Sequence, residues 1–484
     1  MKISESFSDL SHTYKKVLVV NPLNTLWSYQ MTSEAAISLA LEGSQVAWVN
    51  LSSFESSKHD LNQKNWINEF RFKNPRKIIS RLLESRGIAT EEHIVPRVNL
   101  HRGAPFKSVA ELRNYEELGL NLGAMVFSAI ASKYKSTSFS IDEVRSEVNY
   151  FMKFAQIANK HLEEAIDSYQ PDLILTTNDR LIGSSLALQI AKSKKIDSRV
   201  IYWGSSSDRY QIYKSSLYDS REWFNHTSTN WEVNHPSITE RKELDERISK
   251  ASSNPSNDSL SFTRGQTKGL GVSFTEKTCV FYAQSEYEHS PYLASRISNR
   301  FPNQYVAFVQ LMEICERLNY KLILKYHPVR NLDARTKDLK GEISDWLDVD
   351  IHESVLQLLP DSKIDTYQLI QTSDLNVVWT STVGIESILR GKKTIVLGDT
   401  HWLNLDWGIH AWNGQDLERQ LRDPNPGLES VDLRPWFWFV SDYGTPFQYS
   451  RLENGNLELN DQSVLRPRAW IRSLRKFKEL FKGL

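Results

Sequence analysis

Two motifs decide the fold of this chain: Lys-Tyr-His-Pro at residues 325–328 and Trp-Thr-Ser-Thr-Val-Gly-Ile-Glu-Ser at residues 379–387. The first overlaps the end of the apolar run Lys321–Tyr326, which predicts a strand. The second follows another such run, Leu375–Trp379, and opens a segment of helical pattern at Val383–Arg390. Ligands of parallel α/β sheets collect beyond the carboxyl ends of the strands. Both motifs are therefore predicted to line one ligand site on a sheet of this type.

Short apolar runs alternate with helical segments in both halves of the chain, which predicts parallel sheets covered by helices on both faces. A stretch rich in Ser, Asn, Gly and Thr at 252–271 predicts a linker. The half before it, 1–251, opens with a βαβ pattern and contains a mostly helical insertion at 65–170. The predicted fold class is α/β, with two Rossmann-like domains at 1–251 and 272–464 and a C-terminal helix at 465–484. The other predicted strands are Lys16–Val20, Gln45–Leu51, Pro171–Thr177, Ser198–Trp203, Thr278–Ala283 and Thr394–Leu397, and the other helices include Thr32–Glu42, Leu181–Ser193, Gln304–Leu318 and Thr366–Thr372.

Length and composition agree with two domains and exclude several classes of protein. The 484 residues exceed the size at which a single hydrophobic core usually stops growing. Lys plus Arg and Asp plus Glu both number 59, so the net charge gives no reason to expect nucleic acid as a partner. The two cysteines, Cys279 and Cys315, lack metal-ligand spacing and fit a reducing compartment. The polar N-terminus and the absence of a long apolar segment lead us to expect a cytoplasmic protein.

A phosphate site is predicted where the second motif passes from strand to helix. Ser381 and Thr382 lie between the two elements, so that their hydroxyls and the following amides can bind a monophosphate or diphosphate. Gly384 would let the phosphate approach the backbone closely. The alternative is that Ser381 or Thr382 only caps the helix, as at many strand-to-helix junctions.

His327 is the second predicted contact of this ligand. Pro328 restricts the residue before it to an extended conformation, which fixes the direction of the imidazole. A histidine can hydrogen-bond a departing phosphate and, when protonated, offset the negative charge that develops there. Lys325 lies two residues earlier on the same strand face and could reinforce this effect. The alternative is a structural histidine at a strand end.

Further polar residues are predicted to line the same site. Glu386 lies one turn inside the helix, where its carboxylate could accept hydrogen bonds from ribose hydroxyls; the alternative is a solvent-facing glutamate. Its spacing from Ser381 and Thr382 does not form a capping box. The loop after Thr278–Ala283 begins with Gln284, Ser285 and Glu286 and is polar, which suits substrate contact, although loops can be polar without a function.

A general base is predicted in the N-terminal half, where an Asp, Glu or His at a strand end would deprotonate an acceptor hydroxyl. The candidates are Glu116 and Glu117 in Asn-Tyr-Glu-Glu-Leu-Gly, and Asp179 after the strand that ends at Thr177. Each of the three could instead be a solvated or capping carboxylate.

Other nucleotide and metal motifs are absent from the sequence or out of place. The sequence has no Gly-x-x-x-x-Gly-Lys-Ser/Thr loop and no Gly-x-Gly-x-x-Gly after a strand, so ATPase and dinucleotide-binding classes lack support. Asp348-Val349-Asp350 has the Asp-x-Asp pattern of some metal-dependent transferases, but it does not follow a predicted strand end. We therefore expect chemistry without a metal ion.

The last segment, 465–484, has the pattern of a basic amphipathic helix. Such a helix could lie on an anionic membrane surface, and the alternative is a helix that packs across the two domains. The apolar stripe is Trp470, Leu474, Phe477 and Phe481, and the basic residues are Arg466, Arg468, Arg472, Arg475, Lys476, Lys478 and Lys482.

Several motifs between Thr278 and Gly398 resemble the bacterial capsule polysaccharide biosynthesis proteins, a superfamily that includes Kdo transferases and is similar to bacterial sialyltransferases. They are Phe-Tyr-Ala-Gln-Ser-Glu-Tyr-Glu at 281–288, Lys-Tyr-His-Pro at 325–328, Ile-Asp-Thr-Tyr-Gln-Leu at 364–369, Ser-Thr-Val-Gly-Ile-Glu-Ser at 381–387 and Gly-Lys-Lys-Thr-Ile-Val-Leu-Gly at 391–398.

This resemblance implies a GT-B fold, in which two Rossmann-like domains face a central cleft, and an inverting glycosyltransferase with a CMP-activated sugar as donor. His327, Ser381, Thr382 and Glu386 would then form the nucleotide site, and no resident cofactor is implied. The acidic motif that marks the base in sialyltransferases is not matched, because Leu118 separates Glu117 from Gly119. The Glu-x7-Glu pair of many retaining GT-B enzymes is absent around Glu386, which favours inversion.

Three other functions remain open at the level of sequence. A CDP-polyol phosphotransferase of teichoic-acid-like synthesis would use similar His and Ser positions. A non-hydrolysing sugar-nucleotide epimerase would act without an acceptor. A scaffold for polysaccharide assembly would act without catalysis.

Overall fold

The chain folds into two compact units in the computed structural model. Unit 1 comprises Met1–Lys133, Phe139–Leu217 and Val440–Leu484, and unit 2 comprises Tyr134–Ser138 and Tyr218–Phe439. The residues that the structure describes run from 6 to 465, except for 24, 52–74, 93–105, 135, 206–207, 215–226, 230, 233–236, 254–266, 268–273, 286, 288–300, 328–345, 347–348, 401–408, 424–430, 443, 454–455 and 460–461.

Unit 1 is built on a sheet with the strand order β12-β6-β5-β4-β1-β2-β3. Strands β3, β2, β1, β4 and β5 are parallel, and β6 and β12 add antiparallel strands at one edge. The strands are β1 (Lys16–Asn21), β2 (Gln45–Asn50), β3 (Ala89–Glu92), β4 (Leu173–Thr177), β5 (Asp197–Trp203), β6 (Arg209–Tyr213) and β12 (Thr445–Pro446). The helices are α1 (Phe7–Thr13), α2 (Leu26–Leu41), α3 (Pro75–Glu84), α4 (Val109–Arg113), α5 (Leu122–Tyr134), α6 (Arg145–Tyr169) and α7 (Ile182–Lys194).

Unit 2 is built on an all-parallel sheet with the strand order β11-β10-β7-β8-β9. In both units the central parallel strands therefore follow the Rossmann order 3-2-1-4-5, which reverses between β1 and β4 in unit 1 and between β7 and β10 in unit 2. The strands are β7 (Thr278–Tyr282), β8 (Lys321–Lys325), β9 (Leu356–Leu358), β10 (Leu375–Val378) and β11 (Thr394–Val396). The helices are α8 (Ile238–Ser253), α9 (Gln304–Arg317), α10 (Thr366–Thr372), α11 (Val383–Leu389), α12 (Gly414–Arg422) and α13 (Arg434–Asp442).

Alternation along the strands of unit 2 divides its core between the two faces of the sheet. Cys279 and Phe281 of β7 pack with α9 and α12 on one face, while Val280 and Tyr282 pack on the other face with α10 and α11. A parallel sheet with both faces covered needs such nearly continuous apolar strands, which is why short apolar runs were enough to predict them. Both cysteines are free and buried.

The predicted two-unit α/β fold with parallel sheets is confirmed, and the strands named in advance agree closely in position. Helix α2 starts six residues earlier than predicted, since Leu26 follows the N-cap Thr25, whose side chain accepts a hydrogen bond from the Ser28 amide. Strand β3 was not recognised within the predicted helical insertion, because Ala89–Glu92 is short and lacks an apolar run. Among the described residues, no helix has the length and apolarity that a membrane crossing requires.

The chain changes units at other places than the predicted linker. It enters unit 2 at Tyr218, and helix α8, which contains residues 252 and 253, packs against α11 of that unit. It returns to unit 1 at Val440, where the antiparallel strands β13 (Ser450–Glu453), β14 (Asn456–Leu459) and β15 (Gln462–Leu465) place Leu457 and Leu459 in the core of unit 1. Linker composition could not predict this return of the chain to unit 1, because the return depends on tertiary contacts.

A buried carboxylate fixes this returning segment to unit 1. Glu34 of α2 accepts hydrogen bonds from the amides of Gln448 (2.6 Å) and Tyr449 (2.9 Å) and from the hydroxyl of Ser450 (2.8 Å). Burial raises the pKa of the Glu34 carboxyl, and these hydrogen bonds oppose the increase. The predicted helix at 465–484 lies outside the described residues after Leu465.

Candidate nucleotide site at the strand ends of unit 2

Four neighbouring strands of unit 2 end in register. The last residues of β8, β7, β10 and β11 are Cα partners across the sheet. Pairing continues beyond them, since the amides of Ala283 and Leu397 donate to the carbonyls of Lys325 (2.9 Å) and Val378 (3.0 Å). Because side chains alternate along a strand, the residues two positions further on should share one side of the sheet. We call these residues the strand-end row: His327, Gln284, Thr380 and Gly398.

Gln284 ties β7 to β10, the pair of strands between which the strand order reverses. Its Oε1 accepts hydrogen bonds from the amide of Thr380 (3.0 Å) and from the hydroxyl of the same residue. Its own backbone is held by Gln304, the fully buried first residue of α9, which accepts from the Gln284 amide (3.1 Å) and donates to the Gln284 carbonyl (2.7 Å). Ligands of this fold bind at such a reversal of strand order. Gln284 therefore organises the predicted site, and its predicted contact with substrate stays a prediction.

Gly398 is required for the row to pack. A Cβ atom at this position would lie 2.7 Å from Cγ2 of Thr380 and 2.9 Å from the ring of Trp379, closer than real Cβ atoms approach other atoms. Any side chain here would displace Thr380, and with it the strand end that Gln284 holds.

Ser381 and Thr382 differ in how they are used. The hydroxyl of Ser381, which is half-buried, accepts from the amide of Val383 at 3.3 Å. Thr382 occupies the N-cap position of α11 but is exposed and makes no capping hydrogen bond with its side chain. The capping interpretation therefore describes Ser381 and not Thr382. Gly384 is buried, and its amide donates to the Ser381 carbonyl at 3.0 Å. The predicted phosphate contacts of all three residues stay predictions.

Lys325, the last residue of β8, is buried although it carries an amine. Its residue is 2% exposed, and Nζ has no hydrogen-bond partner within the described part of the chain. Burial lowers its pKa to about 8, and the charge of Asp361 opposes this decrease. His327, two residues further on, is half-buried, whereas Pro328 lies outside the described residues. The structure thus brings Lys325 and His327 together at one strand end.

Glu386 lies on the same side of the sheet as Lys325. Burial raises the pKa of Tyr282, the Cα partner of Lys325, and the charge of Glu386 raises it further. The Tyr282 hydroxyl donates to Asn376 at 3.0 Å. The half-buried position of Glu386 is compatible with either ribose binding or the solvent-facing alternative, so its role stays a prediction. Of the remaining predicted contacts, Ser285 is buried and Glu286 lies outside the described residues.

Sequence reasoning missed three polar residues at these strand ends. Asp399 and Thr400 follow β11, and the fully buried hydroxyl of Thr400 has no partner among the described residues. The signal that identified the other residues, polar side chains directly after a predicted strand, is also present here, because Gly-Asp-Thr follows the predicted strand Thr394–Leu397. Gln304 carries no comparable signal, because it appears in the sequence only as the start of a helix.

The three candidate bases of unit 1 lie in different surroundings. Glu116 is exposed, and the carboxylate of Glu117 accepts from the hydroxyl of Tyr115 (2.8 Å) and from Nε2 of Gln156 (2.9 Å). These bonds hold a tight turn in which Leu118 and Gly119 both have positive φ angles. Asp179 is 4% exposed and lies just beyond the carboxyl end of β4. Only Asp179 follows a strand of the sheet, as the prediction for a base requires.

A metal site was not predicted, and that expectation stays untested. Among the described residues, no group of three or more His, Cys, Asp or Glu side chains could hold a metal ion. Asp350 is exposed, and Asp348 lies outside the described residues.

Comparison with known proteins places this site within a recognised family segment. The profile of a family described as capsule polysaccharide biosynthesis protein matches residues 293–425, which include three of the four positions of the strand-end row. The resemblance inferred from the motifs is thereby confirmed over this segment. A search of curated protein sequences gives no match.

Solved structures similar to the chain include two structures of one bacterial protein and that of an epimerase. The Thermosulfurimonas dismutans KpsC β-Kdo 2,4 transferase is 13% identical, with 55% of this chain and 78% of that chain covered and a TM-score of 0.37. The β-Kdo 2,7 transferase of the same protein is 12% identical, with 63% and 87% covered and a TM-score of 0.35. The Neisseria meningitidis UDP-GlcNAc 2-epimerase is 11% identical, with 88% and 97% covered and a TM-score of 0.28. Likeness at these values carries no argument about activity, and the fold assignment rests on the strand orders.

Proposed function

We propose that this chain is a glycosyltransferase of capsule-type polysaccharide synthesis whose unit 2 binds a nucleotide-activated sugar. The observation that supports the proposal best is the strand-end row. It lies where the strand order reverses and beside a buried lysine without a partner in the described residues, and three of its four positions fall within the segment that matches the capsule polysaccharide family. A phosphate-bearing ligand would supply the negative charge that this lysine lacks.

The donor in this proposal is a CMP-linked sugar such as CMP-Kdo or a sialic-acid-like relative, and it is a co-substrate rather than a resident cofactor. His327 and Lys325 would contact the phosphate, together with the hydroxyls of Ser381 and Thr382. Glu386 would accept hydrogen bonds from the ribose hydroxyls. CMP in particular is supported only by the motifs that this sequence shares with the capsule and sialyltransferase families.

The proposed reaction is a single displacement with inversion and without a metal ion. The acceptor oxygen attacks the anomeric carbon as the bond from that carbon to the nucleotide phosphate breaks, and the phosphate oxygen keeps the electron pair. The acceptor proton passes to a carboxylate, for which Asp179 is our choice because it alone of the three candidates follows a strand of the sheet. His327 and Lys325 would stabilise the charge on the departing phosphate.

The acceptor in this proposal is a glycan or glycolipid, and we include a peripheral contact of 465–484 with an anionic membrane. Sedimentation of the full chain and of a variant that ends at residue 464 with anionic vesicles tests that contact. Equal sedimentation of the two would favour the packing role of this segment.

The nucleotide is tested first, by thermal shift of the purified protein with CMP, CDP, UDP, GDP and dTDP, since a ligand that prefers the folded state raises its Tm. We expect a selective shift with CMP that is lost in His327→Ala. His352→Ala is the matched control, because His352 of the same unit is exposed and its imidazole hydrogen-bonds with the nearby Ser354 hydroxyl at 2.8 Å. It should keep the shift.

The outcomes separate the alternatives. Selectivity for CDP would favour the polyol phosphotransferase, and a UDP preference would overturn the donor class. No shift with any nucleotide would contradict the proposed function and favour a scaffold. If CMP binds, the same variants are assayed with CMP-activated sugars, and His327→Ala should lower turnover more than about tenfold.

A further inference from the structure

Lys325 is buried and has no close counter-charge among the residues that the structure describes, which is an unusual position for a lysine. Lysine is almost never fully buried unless it is paired. No ion pair within 4.0 Å is found for Lys325 in the described residues, and Asp361, which affects it electrostatically, is exposed. A buried ammonium in this state costs stability, and the cost decreases if the group loses its proton or gains an anion.

The position of Lys325 in the sheet indicates which anion it would meet. By strand alternation its side chain lies on the same face as Ile323, and two residues further along that side lies His327 of the strand-end row. The ionisable groups around it in the described residues are Tyr282 on β7, Glu386 on α11, His327 on its own strand and Asp361 after β9. None of these four groups carries a fixed positive charge, so among the described residues named here Lys325 is the basic group that a phosphate would meet at this strand end.

We propose that Lys325 is a reserve cation for the phosphate: it lowers the stability of the ligand-free protein, and it takes up a proton when a phosphate-bearing nucleotide binds. This inference rests on the proposed function, because it assumes that the strand-end row binds a nucleotide. It adds that Lys325 strengthens nucleotide binding at the expense of the stability of the ligand-free protein. It also adds that nucleotide affinity depends on pH.

The direction of the pH dependence follows from linkage. Because burial lowers the pKa of Lys325 to about 8, part of the ligand-free protein carries a neutral amine near this pH, and the neutral share increases as the pH rises. A phosphate beside the amine raises this pKa, so the complex holds more protons than the free protein. Affinity should therefore decrease as the pH rises above 8, by up to about tenfold per pH unit.

The decisive variant is Lys325→Met, which keeps an unbranched side chain of similar length and removes the charge. It should raise the Tm of the ligand-free protein and reduce CMP affinity by about tenfold or more. The matched control is Lys321→Met at the other end of β8, where the ammonium donates to the Ser354 carbonyl at 2.5 Å. This control should not raise the Tm and should leave CMP affinity unchanged.

Proton uptake is measured by calorimetric titration of CMP at pH 8 in two buffers of different ionisation enthalpy. A phosphate monoester is already fully ionised at this pH, so it contributes no proton change of its own. The wild-type protein should take up protons when CMP binds, and Lys325→Met should take up clearly fewer. CMP binding with no proton uptake, or a Lys325→Met variant that is less stable yet binds CMP normally, would overturn the reserve-cation inference and leave the proposed function standing. Failure of the wild-type protein to bind CMP would instead overturn the proposed donor, and failure to bind any of the nucleotides would overturn the proposed function.

Discussion

The large sheets of the two units share the order of their five parallel strands but end in different ways. In unit 1 the row at the ends of β2, β1 and β4 is Asn50, Asn21 and Thr177, and each is at most 1% exposed. Nδ2 of Asn21 donates to Oδ1 of Asn50 (3.0 Å), and Oδ1 of Asn21 accepts from the hydroxyl of Ser28 (2.5 Å). In unit 2 the polar row lies two positions beyond the last residues of β8, β7 and β10, at His327, Gln284 and Thr380, and two of these three residues are only half-buried.

The difference lies in which strand ends are joined. In unit 1 the hydrogen bonds join β1 to β2 and to the first turn of α2, whereas the buried hydroxyl of Thr177 at the end of β4 has no hydrogen-bond partner among the described residues. In unit 2 the bond from Thr380 to Gln284 joins β7 to β10 and leaves the end of β8, with His327 and Lys325, outside the pair. The same topology thus gives a fully buried polar row in one unit and a partly exposed candidate anion site in the other, because the side chains at the strand ends differ.

The largest effect expected from this comparison is on the reaction itself. If unit 2 binds the donor and unit 1 supplies the base, Asp179→Asn should lower turnover by about 100-fold to 10,000-fold, the usual contribution of a general base. CMP binding should not change, because Asp179 belongs to unit 1. Turnover with a CMP-activated sugar and the thermal shift with CMP measure the two quantities.

The matched control for this variant is Asp172→Asn, at the opposite end of the same strand. Asp172 accepts from the amides of Lys15 (3.1 Å) and Lys16 (2.9 Å), so the change should reduce stability and leave turnover per folded molecule intact. Normal turnover in Asp179→Asn would remove Asp179 from the mechanism. Loss of CMP binding would show that the two functions are not divided between the units in this way.

A second prediction contrasts the two rows directly. Asn21→Ala should lower the free energy of unfolding by about 1–3 kcal/mol, because it leaves the Ser28 hydroxyl and the Asn50 amide group buried without their partner. Thr380→Val keeps the shape of the side chain and the amide bond to Gln284, so it should cost less stability yet weaken the CMP shift. Urea unfolding and thermal shift measure both variants. An Asn21→Ala protein with normal stability and reduced CMP binding would reverse the roles given to the two rows.

The contrast between the rows also shows which features of the fold and the site could be predicted from the sequence. Apolar runs such as Lys321–Tyr326 predicted the strands because both faces of a parallel sheet are buried, and polar residues just after those runs selected His327, Ser381 and Gln284. The bonds between strand ends were not predictable, since Gln284 meets Thr380 and Gln304 only through tertiary contacts. The burial of Lys325 was hidden for the same reason, because its accessibility depends on the helices that cover the sheet.

The smallest expected effect concerns the C-terminal segment of unit 1, which Glu34 binds through Gln448, Tyr449 and Ser450. Burial raises the pKa of Glu34 above its ordinary value of 4.5, so the folded protein holds a proton that the unfolded chain releases. The contribution of this group to stability is therefore complete below pH 4.5 and decreases as the pH rises through the folded-state pKa.

Glu34→Gln removes this dependence but also replaces an acceptor of two backbone amides, so it should destabilise by about 1 kcal/mol or more. The difference in unfolding free energy between wild type and variant, measured by urea titration from pH 4.5 to 8, should be largest at the acidic end. A difference that grows towards alkaline pH would mean that the hydrogen bonds to Gln448 and Tyr449 outweigh burial, and that the segment is held by a stable carboxylate.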